Sequence, residues 1–136
     1  MRRPLQERKS TPAENKACAN MFKRVSPTRI HALGQVTMFG GPDDIEDNGQ
    51  TACGHSTLNT EVLYCSLPIP VWKRFKLKCE AVVVFYNQAN GKSVQCVLWD
   101  EGPSAWLMRP GDIAPKAMKL LGGTGKLDDI EVQVHA

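Results

Sequence analysis

The chain has 136 residues, 42% of them apolar and 23% charged, with a formal net charge of +3. That suffices for one hydrophobic core and leaves no length for a second. No run approaches the roughly 20 apolar residues of a membrane-spanning helix, and the polar first thirty residues hold no apolar core for a secretory signal.

Charge is unevenly placed. Residues 1–30 carry eight Lys/Arg against two Asp/Glu, which leaves nine basic and twelve acidic side chains for the rest of the chain. The positive balance therefore belongs to an N-terminal arm, and the body is mildly acidic. A basic arm can seek nucleic acid or an anionic surface. This one reads better as a solvated tail or a docking peptide for a protein assembly, and nucleic acid is not among the expected partners.

Residues 1–30 form a basic extension whose one helical tendency lies at Ala13–Phe22. From residue 31 to 136 the chain reads as one domain of short strands and turns. Gln35–Phe39 is a strand ended by Gly40-Gly41-Pro42, which a central strand would not tolerate. The acidic stretch Asp43–Gly49 belongs on the surface. Glu61–Leu67 is a second strand, closed by Pro68 and Pro70, and the basic strip Lys73, Arg74, Lys76, Lys78 reads as the solvent face of a strand. Glu80–Tyr86 and Lys92–Trp99 form the clearest hairpin, with Asn90-Gly91 as its turn. Pro115–Leu121 is a short helix, opened by proline and terminated by Gly122-Gly123. Ile130, Val132 and Val134 alternate in a last strand. The fold class is all-β, a small closed barrel with one short helix.

The five cysteines stand at 18, 53, 65, 79 and 96. None is spaced as Cys-x-x-Cys, so neither a structural zinc nor any other metal or cofactor is expected. Cys65 and Cys96 lie in apolar runs and read as buried thiols in a mostly reduced set.

Three motifs narrow the class further. The run Val36-Thr37-Met38-Phe39-Gly40-Gly41, leading through an acidic loop to Thr51-Ala52-Cys53-Gly54, resembles the opening of the expansin catalytic-type domain. Val97-Leu98-Trp99-Asp100-Glu101-Gly102-Pro103 resembles the Val-x-Asp-x-Gly-Pro segment of rare lipoprotein A, a peptidoglycan-cleaving relative. Gly111-Asp112-Ile113-Ala114-Pro115-Lys116-Ala117-Met118 is similar to the family's Asp-Leu-Ser-x-x-Ala-Phe helix start, with Ala114 in place of a capping Ser. The hairpin Val84–Val94 also matches the family pattern. The resemblance covers roughly residues 35–134 and implies a six-stranded double-psi β-barrel acting on cell-wall polysaccharide. It also implies disulfides within the barrel, as expansins and barwin-like proteins have.

On that resemblance Asp100 is the candidate general acid. A carboxyl at a strand end beside a groove can be desolvated and protonate a glycosidic oxygen. It can equally cap the Gly-Pro turn. Asp112 and Thr37 match the expansin groove residues; Asp112 also suits a helix N-terminus. His55 is a candidate proton relay, Asp43 a loop carboxylate near the groove, and Trp106 a stacking platform or a plug over the barrel mouth. Family-45 endoglucanases take a second carboxylate from the first strand, where this chain reads Gly40-Gly41. The rare lipoprotein A helpers, a Glu after the turn and a His before Thr-Leu-Pro, are out of register here.

The expected function is a peptidoglycan-active module with lytic transglycosylase-like glycan cleavage, located in the cell wall, outside the cell or on a virion. A non-catalytic wall-binding or loosening module of the expansin type is the alternative. The third is a structural or interaction component of a phage tail or secretion assembly.

Overall fold

The computed structural model describes residues 9–41, 44, 49–58 and 61–136. Seven strands and three short helices follow in chain order: α1 Pro12–Ala19, β1 Lys23–Ser26, β2 Arg29–Met38, β3 Tyr64–Leu67, α2 Ile69–Phe75, β4 Val82–Asn87, β5 Ser93–Glu101, β6 Gly111–Ile113, α3 Pro115–Leu120 and β7 Lys126–His135. A 3₁₀ turn, Ala105–Leu107, lies between β5 and β6.

Six strands close a ring in the order β2-β6-β3-β5-β4-β7, and β7 pairs back onto β2. The expected all-β barrel is therefore present. Two neighbouring pairs in the ring, β2–β6 and β3–β5, are parallel; the others are antiparallel. β1 lies outside the ring as an antiparallel partner to the start of β2. The alternation of β7 places Ile130, Val132 and Val134 in the core beside Ile30, Ala32, Val83 and Phe85.

Besides β1 and β6, which the sequence does not announce, and β3, which begins at Tyr64 rather than Glu61, two segments differ from expectation. Ile69–Phe75 is a helix, because Pro70 suits a helix's first turn and Pro68 need only precede it. Lys73 and Arg74 thus stand on its last turn, and Lys76 is its left-handed C-cap rather than part of a strand face. β2 also begins six residues earlier than expected, since its length comes from pairing along β7 rather than from local pattern.

The described part of the arm packs into the body. Thr11 and Glu14 form a reciprocal capping box at the start of α1, with Pro12 in its first turn. Cys18 and Phe22 are fully buried in the same core as the barrel strands. Arg74 fastens them by donating to Ala19 O, Asn20 Oδ1 and Phe22 O.

Candidate functional site

The strand order brings three of the anticipated residues into one row. β6 sits between β2 and β3, so Asp112 stands opposite Thr37 on one side and Ser66 on the other. Ser66 in turn stands opposite Asp100 on β5. The row Thr37–Asp112–Ser66–Asp100 thus crosses four adjacent strands. The strand neighbours Val36, Ile113 and Cys65 are fully buried in the core, so alternation turns the polar row to the other face of the sheet.

An irregularity in the β3–β5 register decides which side chain joins the row. Cys65 pairs with Leu98 and Ser66 with Asp100, so Trp99 is skipped. A regular ladder would have set Trp99 opposite Ser66. This is how a bulge re-aims a side chain.

Asp100, Ser66 and Asp112 have no exposed surface, and Thr37 is half-buried. Asp100 Oδ1 accepts the backbone amides of Ala52 (2.9 Å) and Glu101 (2.8 Å). Asp112 Oδ1 accepts from Thr37 twice, from its amide at 3.2 Å and its hydroxyl at 2.5 Å. Each carboxylate is thus held through one oxygen by two donors, which fixes its rotamer. Two strand spacings put the two aspartates about 10 Å apart.

The turn Thr51–Gly54 covers Asp100. Besides the Ala52 amide, Cys53 N–H donates to Trp99 O at 2.9 Å, and Cys53 is disulfide-bonded to Cys79. The residue after Cys79 completes a cluster. Glu80 Oε1 meets His55 Nε2 at 2.5 Å, while Oε2 accepts from Trp99 Nε1 at 3.0 Å. His55 stacks on Trp99 with centroids 4.1 Å apart, and Trp99 also lies parallel to Tyr64 at 5.6 Å. The hydrogen bonds from His55 and then Trp99 hold the Glu80 carboxyl below the ordinary carboxylate range.

Gly40 explains the missing first-strand carboxylate. Its φ is +83°, and a Cβ there would overlap the Tyr64 hydroxyl and come within 2.8 Å of Thr57 Cβ. That hydroxyl is fixed by donation to Phe39 O and Thr57 O, so position 40 has room for no side chain. The Gly40 amide instead donates to Asp44 Oδ2 at 2.7 Å.

The other anticipated residues lie apart from the row. His55 reaches Trp99, next to Asp100, but belongs to the Glu80 cluster. Trp106 sits half-buried in the 3₁₀ turn, where its amide donates to Ser10 Oγ and the turn packs against α1. Asp43 lies outside the described residues. Ser66 and Glu80 escaped the sequence reading. Ser66 acquires meaning only from its partners on two other strands, and Glu80 only from the disulfide beside it.

Cys18, Cys65 and Cys96 are free, buried thiols. Burial pushes the Cys65 thiol well up, Cys96 to about 12 and Cys18 to about 11, so they are inert packing groups. Among the described residues no cluster of three His, Cys, Asp or Glu could hold a metal ion. No family model matches the chain, and no curated protein matches it.

Proposed function

We propose that this chain is a cell-wall glycan-active module of the double-psi barrel class, cleaving peptidoglycan in the manner of a lytic transglycosylase. The observation that carries the reading is the buried row Thr37–Asp112–Ser66–Asp100, two oriented carboxylates and two hydroxyls on one face of a closed barrel. The two parallel pairs within the ring support the class. Asp100 in its acid form donates its proton to the glycosidic oxygen as the C1–O bond breaks. Its carboxylate then takes the proton of the same sugar's 6-hydroxyl as that oxygen closes on C1. One group serves as acid and then base, so no second carboxylate is needed to activate water. That economy suits a site in which Gly40 excludes a side chain. Asp112, held by Thr37, shapes the sugar-binding face. The protein would then act outside the cell, in the wall or from a virion.

One observation favours a second reading, a non-catalytic wall-binding module. Asp100 is fully covered and accepts two amide hydrogens, as a turn-anchoring aspartate would. Digestion of purified peptidoglycan by the wild type and Asp100→Asn, with products read by mass spectrometry, decides between them. Anhydro-muropeptides from the wild type, reduced at least 100-fold in the variant, are expected on the roughly 10²–10⁴-fold scale of general acid catalysis. No products from either protein, with retention on insoluble wall, would establish the binding module instead.

A further inference from the structure

We propose that Ser66 is a substrate-positioning residue whose hydroxyl receives a sugar hydroxyl between Asp112 and Asp100. The inference rests on the glycan reading above and assigns a role within that site.

Ser66 is fully buried, and its Oγ has no hydrogen-bond partner among the described residues. Buried hydroxyls in native proteins nearly always have a partner, because stripping water from one without replacement is costly. The other residues of β3 are Tyr64, Cys65 and Leu67, all buried, so the strand's packing does not itself call for a hydroxyl at position 66. The hydroxyl therefore adds nothing to the core and is unmatched by it.

Its place is also particular. Ser66 is the middle residue of the row, opposite Asp112 on one neighbouring strand and Asp100 on the other. A serine hydroxyl both donates and accepts, whereas carboxylates only accept. A polyol fits such a row, because each sugar hydroxyl can donate to a carboxylate and accept from the serine. Ser66 would thus fix the ring's register against Asp100. The row meets solvent at half-buried Thr37. Since Asp100 has no exposed surface and accepts the Ala52 amide, the Thr51–Gly54 turn has to lift for a sugar to reach it.

The test compares Ser66→Ala and Ser66→Thr with the wild type, in kinetics on purified glycan strands and in thermal melts. A positioning hydroxyl predicts that S66A keeps or raises Tm while kcat/KM falls about tenfold or more. S66T, which retains the hydroxyl, recovers most of the loss. If the wild type binds wall without cleaving it, the same variants are read in Kd with the same expected ratio. S66A matching an active or binding wild type overturns the role of Ser66 and leaves the glycan reading intact. S66A losing function only in step with lost Tm also overturns it. A wild type that neither cleaves nor binds overturns the glycan reading itself, and the Ser66 role with it.

Discussion

At the scale of single residues, the site is defended by positions that cannot change. Gly40 has a left-handed backbone and faces the Tyr64 hydroxyl, which is itself pinned by two carbonyls. Gly40→Ala should cost roughly 2–4 kcal/mol, combining backbone strain with overpacking; the shift of the urea midpoint at constant m would measure it. An unchanged midpoint would mean that Tyr64 yields easily. Glu80 offers a pH test. Its folded pKa is depressed below the ordinary value of 4.5 by His55 and Trp99. The unfolded chain therefore binds more protons at Glu80 in acid, and the clamp's contribution is present above about pH 4.5. It is lost as pH falls through the lower, folded value. Glu80→Gln should lower the neutral plateau of Tm and flatten the acid limb below 4.5, so that the two proteins converge in acid. An identical acid limb in both proteins would remove the clamp from the stability of the fold. Asp100 was legible in the sequence because a local motif, an apolar strand followed by Asp-Glu-Gly-Pro, carries it. Ser66 was not, because its polar environment is assembled from residues 34 and 46 positions away.

At the scale of elements, the turn Thr51–Gly54 holds Asp100, and the proposed glycan cleavage requires it to lift. It is tied down by the Ala52 and Cys53 amides and by the Cys53–Cys79 bond, which closes a loop of 26 residues. Removing that bond by Cys53→Ser with Cys79→Ser should cost about 3 kcal/mol in the loop-entropy account. Amide exchange at Ala52 and Cys53 should quicken before that of the β4–β5 ladder, since local opening follows the weakest contacts. Equal protection in oxidised and double-serine protein would show that the turn is held by its hydrogen bonds alone. The β4–β5 hairpin was readable because Asn90-Gly91 and a β-branched run are local signals. α2 was misread as strand because Arg74, Lys76 and Lys78 alternate in sequence, although the last two lie beyond the helix; Pro68 and Pro70, taken as strand closers, stand at its start. β6 went unread because three residues carry no periodicity; Gly111–Ile113 is a strand only through β2 and β3.

At the scale of the whole molecule, barrel closure unites the two halves of the site. Thr37 and Asp112 meet through a parallel pair, as do Ser66 and Asp100, and parallel neighbours require long connections between them. The row is consequently a property of the closed ring. The barrel class followed from strand count and turn chemistry, whereas the pairing order that aligns four polar residues is non-local. The basic arm gains a definite place from residue 12 onward, since Cys18 and Phe22 belong to the common core and Arg74 clasps the end of α1.

Among the described strands β7 alone joins β4 to β2, and it follows both in chain order. Until residues 126–135 have left the ribosome, every earlier strand can exist only as part of an open sheet with two unpaired margins. Such margins invite pairing with other chains. Closure of the barrel therefore waits for β7 and for a long-range search. A chain lacking β7 would present β2 and β4 as sticky edges, making the pairing of residues 126–135 a condition of solubility as well as of shape.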